Sequence, residues 1–312
     1  WLDNSWERNG NTGVWTQITV DEKNELVFLS VESPSSDFYG GHRPGNNLFG
    51  ESLVAVDLNT GEYKWHFQVV HHPIWDHDLS SAPLIMDVTI DGREREIVAL
   101  PTKQAFIYAF DRLTGEPIWD IPEVAVPIGK IPGEWYSPTQ PLPPERLHYG
   151  RGKLVLPDDL IDFTPEMRQA ALDKMHLWNW DNGGMYNPPL LGDVNGVLGA
   201  INIVATNGGT NWPGASFDPE TGIIYAPAGQ SFLNNLSMAP PPEGYSNVDY
   251  MAGRKGQSFR MRNAAGTGQN PDAPKEVNYP VFKGPRVVMP SLNVEGLSIL
   301  KPPYSVISAI DM

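Results

Sequence analysis

The sequence predicts an all-β fold, a propeller of short antiparallel sheets stacked around an axis. Three observations carry that expectation. Gly and Pro number 30 each among 312 residues, a density of turn formers that disfavours long helices and fits many short strands. A hairpin motif recurs: residues 52–67 read "SLVAVDLNTGEYKWHF" and residues 105–120 read "AFIYAFDRLTGEPIWD". Both copies place a Trp, Trp65 and Trp119, three residues after Thr-Gly-Glu. There it can dock against the neighbouring unit. Repeats of this kind, each worth four short strands, stack radially.

Taken in order, residues 18–31, "ITVDEKNELVFLSV", form a first related hairpin. In the two full copies, Asp57 matches Asp111 and Gly61 matches Gly115. Asp and Thr-Gly supply the tight turn, with Gly free to take positive φ. Alternating apolar residues on either side make half-buried strands. A long insertion covers roughly 122–200 and is Pro-rich at first, "VPIGKIPGEWYSPTQPLPPE". It then holds the one convincing helix, 164–178, "TPEMRQAALDKMHLW". Thr164 is suited to the N-cap, Pro165 to the first helical position, and Glu166 to the positive end of the dipole. A degenerate copy of the motif spans 214–229, "GASFDPETGIIYAPAG". Residues 231–282 read as a long polar loop over one face. A broken copy, "SVISAIDM", ends the chain. The expectation is a single incomplete propeller domain over 1–312.

Composition narrows the function classes. The formal charge of −15 argues against nucleic acid, which needs a basic face to displace counterions. With no Cys, structural disulfides and thiolate metal sites are excluded. No apolar run is long enough for a membrane span. The chain starts at Trp1 and ends inside a strand-like run, so it reads as a fragment, inactive by itself. Absent targeting signals then mean little.

One stretch carries a density of titratable groups: "HHPIWDHD", residues 71–78. It is either a hydrated turn after a strand or a proton-handling site in a wet pocket. Catalytic zinc wants three converging protein ligands, but His71 and His72 are adjacent and point oppositely on an extended chain. They read as lining a pocket mouth or bonding nearby backbone. No G-x-G-x-x-G follows a strand, so a nicotinamide cofactor is disfavoured.

The Asp-x-x-Thr-Gly-x-x-x-Trp hairpins resemble those of the quinoprotein dehydrogenases, which use pyrroloquinoline quinone (PQQ) and fold as eight-bladed propellers. "HHPIWDHD" with "PTKQAFIYAFDRLTGEP" (101–117) is similar to the active-site region of the membrane glucose dehydrogenase branch. "RPGNNLFGESLVAVD" (43–57) and "PGEWYSPTQP" (132–141) also match family phrases. The resemblance is strongest over 10–141 and 206–229, and weak over 142–200 and 231–300. It implies oxidation of a sugar, polyol or alcohol, with hydride passing to the quinone. It makes Asp76, which follows Trp75, the general base, and leaves Asp78 structural.

By the same resemblance Lys103, 27 residues beyond Asp76, contacts the quinone and stabilises charge on reduction. Trp15 is the floor on which the planar cofactor rests, or else one more docking Trp. Asn211 and Trp212 match the family's Asn-Trp pair, or else form a turn before a strand. The family's Ca²⁺ polarises the quinone carbonyl. Its Asn ligand falls eighteen residues after the stacking Trp, where this chain has Ser33. Ser33 and Asp76 are therefore the metal candidates, with Glu32 or Asp37 as substitutes. The resemblance also implies a quinone or cytochrome acceptor and a periplasmic location. Two rivals stand beside it: a non-catalytic propeller scaffold like outer-membrane assembly factors, and a degenerate relative without cofactor.

Overall fold

A computed structural model describes residues 1–180, 184–204, 206–243, 246–256, 259–265, 276–282 and 292–312. Strands β1 (Thr19–Asp21), β2 (Leu26–Ser30), β3 (Ser52–Asp57) and β4 (Tyr63–Gln68) form one antiparallel meander in chain order. Strands β5 (Leu84–Ile90), β6 (Arg93–Pro101) and β7 (Ile107–Asp111) form a second. Its fourth limb is short, held to β7 by the Ile118 N–H bond to Ala109 O at 2.9 Å. A small hairpin, β8 (Glu123–Ala125) and β9 (Thr139–Pro141), precedes helix α1 (Pro165–Met175). Strands β10 (Leu190–Leu191) and β11 (Ala200–Ile203) close the insertion.

The third blade-like sheet joins β12 (Ser216–Asp218), β13 (Ile223–Gly229) and the last strand of the chain. Between them come β14 (Leu233–Ala239), β15 (Met251–Ala252), β16 (Phe259–Ala265), β17 (Glu276–Phe282), β18 (Asn293–Val294) and β19 (Leu297–Ser298). The last strand, β20 (Ser305–Asp311), pairs with β13 along its whole length, from Ile223 opposite Asp311 to Gly229 opposite Ser305.

The turn chemistry is as expected. Asp57 Oδ1 accepts from the N–H of Asn59 and Thr60 and from Thr60 Oγ1, each at 3.0 Å. Asp111 repeats the pattern with Leu113 and Thr114. The copy at 214–229 differs in place: Asp218-Pro-Glu-Thr-Gly222 turns between the first two strands of its sheet, whereas Asp57 and Asp111 follow the third strand. That segment therefore corresponds to the 18–31 hairpin, and "SVISAIDM" corresponds to β3. The helix ends at Met175, three residues before the expected boundary, in a last turn where His176 N–H bonds Leu172 O. Thr164 caps it by accepting from Met167 N–H at 3.2 Å.

Residues 231–282, expected as a loop, instead supply strands, apart from 244–245, 257–258 and 266–275, which lie outside the described residues. Strand β14 pairs with β10, β11 and β15. Its backbone groups need partners, and the other insertion provides them.

Alternation along the second sheet fixes how the sheets stack. Val98, Leu100, Tyr108 and Phe110 face one core, with Leu26, Phe28, Leu53 and Trp65 of the first sheet. Ile97, Ala99, Ile107 and Ala109 face the other, with Ile224, Ala226 and Ile310 of the third. Successive strand residues point to opposite faces, so the middle sheet is covered on both sides. Trp65 makes the joint: its ring lies 5.9 Å from Phe110, and Nε1 donates to Arg112 O at 3.0 Å. Among the described helices none is long and apolar enough to cross a membrane.

Candidate active site

The loop 69–83 leaves β4 and returns as β5, and it is pinned at several points. His71 N–H donates to Gln140 Oε1 at 2.7 Å, and Gln140 Nε2 donates back to His71 O at 2.8 Å. The ring of His71 bonds Gln68 and Glu123, while that of His72 bonds Gly45 O and Glu134 Oε1. The two rings thus turn to different partners, with His72 in a bend at φ +47°. Trp75 is buried against Tyr186 and donates to Asn187 O at 3.0 Å. Asp76 follows with φ at +58°, a conformation uncommon outside Gly and most tolerated by Asn and Asp.

Lys103 lies in the turn between β6 and β7 and is buried. Its Nζ donates to Asp76 O at 3.0 Å, to Asp76 Oδ1 at 3.1 Å and to Asp78 Oδ2 at 3.0 Å. Asp78 Oδ1 accepts from Ser33 N–H at 2.8 Å. Ser33 Oγ donates to Glu51 Oε1. One ammonium group therefore serves two carboxylates, with a third a single hydroxyl away.

Burial sets the protonation of this cluster. It pushes Asp76 up to about 8, against the pull of Lys103 and with the support of Asp78's negative charge. Burial opposes ionisation of Asp78 too. Lys103, Asp76 and the Ser33 N–H outweigh it and hold Asp78 below the usual range. Lys103 stays above its ordinary value because Asp78 and Asp76 overcome its own desolvation. Glu51 is pushed up to about 8 by burial first and by Asp78 second. His77 is pushed down to about 3 by burial and by Lys103.

The remaining sequence-derived residues arrive from three other segments. Trp15 is 46% exposed. Its segment is tied to the loop by Thr16 Oγ1, which donates to Ser80 O at 2.8 Å, and by Thr19 Oγ1, which donates to Pro83 O at 2.7 Å. Residues 208–212 lie across the Lys103 turn: Gly209 N–H donates to Lys103 O at 2.6 Å, and Thr210 N–H to Thr102 O. A Cβ at Gly208 would come within 2.5 Å of Lys103 Cγ, and the residue has φ at +73°, so only Gly fits. Asn211 O accepts from Ser81 Oγ at 3.1 Å. Trp212 is 60% exposed. Asp76, Asp78, Lys103 and Ser33 meet directly. Trp15, Asn211 and Trp212 belong to segments that border them, and neither exposed indole stacks on another ring among the described residues.

One group escaped the sequence reading, and another, Asp78, was read as structural only. Asp78 holds Lys103 as closely as Asp76 does. Glu51 is fully buried, and its Oε2 has no hydrogen-bond partner. Strand parity gives no signal for Glu51, which precedes β3 with φ at +44°. Glu32 accepts from Gly13 N–H at 3.1 Å. Burial raises both Glu32 and Asp37 above the usual carboxylate range. Among the described residues no three His, Asp or Glu side chains converge into a ready metal centre. Lys103 stands between Asp76 and Asp78 instead.

Antiparallel sheets stacked face to face, with a buried acid–ammonium cluster where their connections meet, are the architecture of a β-propeller. All of residues 1–312 match the family described as "PQQ: Glucose/ethanol/alcohol dehydrogenase, beta-propeller domain", and the chain belongs to it. A probable quinate dehydrogenase (quinone) of Xanthomonas campestris pv. juglandis is 30% identical over 96% of this chain and 35% of its own. The quinoprotein glucose dehydrogenase of Escherichia coli K12 is 27% identical over 96% and 34%. The chain thus spans about a third of the length of these relatives. Among solved structures, the quinohemoprotein alcohol dehydrogenase ADHIIG of Pseudomonas putida HK5 aligns with 80% of this chain and 30% of its own. The TM-score is 0.49 and the identity 22%.

Proposed function

We propose that this chain is the catalytic part of a PQQ-dependent dehydrogenase that oxidises a sugar, polyol or alcohol, with Asp76 as general base. The observation that carries this reading is the buried Lys103 bridging Asp76 and Asp78. A scaffold gains little from such a cluster, since burying charge is costly unless it is put to use. The residues fit the cofactor. Two exposed indoles, Trp15 and Trp212, stand in segments tied to the loop of the cluster and offer flat apolar faces. The Gly208-Gly209 backbone lies directly against Lys103 and Ala105 and so fixes the Lys103 turn. They also fit a divalent cation in charge and donor type, because one ammonium faces several carboxylate oxygens.

Trp15, Trp212, Asn211 and Lys103 would hold PQQ, and Asp76 with Ser33 would contribute to a Ca²⁺ site. When bound, PQQ supplies a two-electron acceptor for the hydride from the substrate carbon, and Ca²⁺ adds Lewis-acid polarisation. The chain's own part is proton handling. Asp78 has both oxygens engaged, one on Ser33 N–H and one on Lys103. Asp76 has the higher proton affinity of the pair, which suits it to take the hydroxyl proton. Lys103, fixed by both, presents positive charge to the region where negative charge develops. Electrons leave to a quinone or cytochrome acceptor, and the enzyme works in the periplasm.

Asp76→Asn in the full-length protein, loaded with PQQ and Ca²⁺, should keep cofactor binding and lose about a thousandfold or more in dye-linked turnover. Full turnover in that variant would remove Asp76 from the role of base. Ser33 in place of Asn favours one other reading, the degenerate relative. A full-length wild-type protein that fails to bind PQQ at all would select it.

A further inference from the structure

We propose that Glu51 is a cation ligand of this site, taking the place of the amide oxygen that Ser33 lacks. The inference rests on the reading above, in which a divalent cation works beside the redox cofactor. Ser33 stands where the family resemblance calls for Asn, and its hydroxyl is directed at Glu51 Oε1. The hydroxyl is shorter than an amide and already committed.

Glu51 is not a stray surface acid. Its backbone is held on both sides: its N–H donates to Glu32 O at 3.2 Å, and its carbonyl accepts from Val69 N–H at 2.8 Å, at the start of the catalytic loop. Its φ is +44°, a strained conformation for Glu that the fold maintains. The side chain is fully buried, one oxygen bonds Ser33 and the other has no hydrogen-bond partner. An unpartnered buried carboxylate oxygen is costly. Through Ser33 it sits one residue from the Asp78–Lys103–Asp76 bridge, so the open oxygen belongs to a buried cluster that holds three carboxyl groups and one ammonium. Hard oxygen donors of this kind, a carboxylate beside a hydroxyl, match Ca²⁺ and not a soft transition metal.

Ca²⁺ binding to the full-length protein, stripped of PQQ and metal, tests this by calorimetry and by the Ca²⁺-dependent rise in melting temperature. Glu51→Gln should weaken Ca²⁺ binding about tenfold or more, and it should melt no lower than wild type in chelator. Ser33→Asn combined with Glu51→Gln should recover most of the affinity. Unchanged Ca²⁺ affinity in Glu51→Gln, with loss in Asp76→Asn, would overturn the assignment and leave the proposed function standing. A wild-type protein that binds no Ca²⁺ would overturn both the ligand and the cation.

Discussion

At the scale of single residues, His77 shows what burial does inside this loop. Both of its ring nitrogens are buried without a hydrogen-bond partner, and the ring stacks 6.2 Å from Trp75 with the edge of Tyr186 at 6.0 Å. It is a neutral aromatic in practice, with its pKa pushed down to about 3. The linkage has a definite sign. Unfolded, the imidazole takes its proton near its ordinary value of about 6.5, whereas folded it resists until about 3. Its contribution to stability is therefore complete above pH 6.5 and is lost as pH falls below it, at about 1.4 kcal/mol per pH unit. His77→Phe keeps the stacking and removes the titration. Denaturant unfolding at pH 6, 5 and 4 should show a flatter pH slope for the variant by about that amount. Parallel slopes would mean that His77 has a partner in solution. Asp76 and Lys103 were legible in the sequence because a known motif spacing names them. Glu51 was not, because nothing in "FGESLV" says that an acid just before a strand will be drawn inward.

At the scale of elements, the hairpins were readable because their turns are chemical. Asp accepting from the two N–H groups that follow, then Thr-Gly, closes the chain at 57–61 and 111–115. The copy at 218–222 shows where that reading fails. The turn sequence defines a turn, not which pair of strands it joins, so position in the sheet is left to tertiary pairing. The strand of 233–239 was missed for the same reason, since its partners β10 and β11 lie in a different insertion, and 251–252 pairs onto it. The two turn glycines also differ in surroundings. Gly61 and Gly115 have φ of +73° and +74°, but a Cβ at Gly61 meets nothing within 4 Å, whereas one at Gly115 lies 2.5 Å from the Trp65 ring. Gly61→Ala should cost about 1 kcal/mol, the left-handed strain alone. Gly115→Ala should cost about 2 kcal/mol more, through displacement of the indole. Equal melting temperatures for the two variants would show that the Trp65 ring gives way freely.

At the scale of the whole molecule, the site depends on how one sheet sits against the next. The loop with Asp76 connects the first meander to the second, Lys103 turns within the second, and residues 208–212 lead into the third. No one sheet contains the cluster, so its geometry inherits the angle between sheets. Trp65 sets that angle between the first two. It packs on Phe28 of its own sheet at 5.8 Å and on Phe110 of the next at 5.9 Å, with its N–H on Arg112 O. Trp65→Ala should therefore do two things. It should lower stability by about 3–5 kcal/mol, as large aromatic truncations in a core do. It should also weaken PQQ binding by the full-length protein under conditions where the variant is still folded, because Asp76 and Lys103 are carried by the two sheets that the indole holds together. Trp65→Phe, which keeps most of the apolar contact but loses the bond to Arg112 O, should fall between. Melting curves and PQQ titration of the three proteins measure both effects together. A destabilised Trp65→Ala protein that binds PQQ as tightly as wild type would show that the site is held by its own loop and hydrogen bonds, independent of the joint.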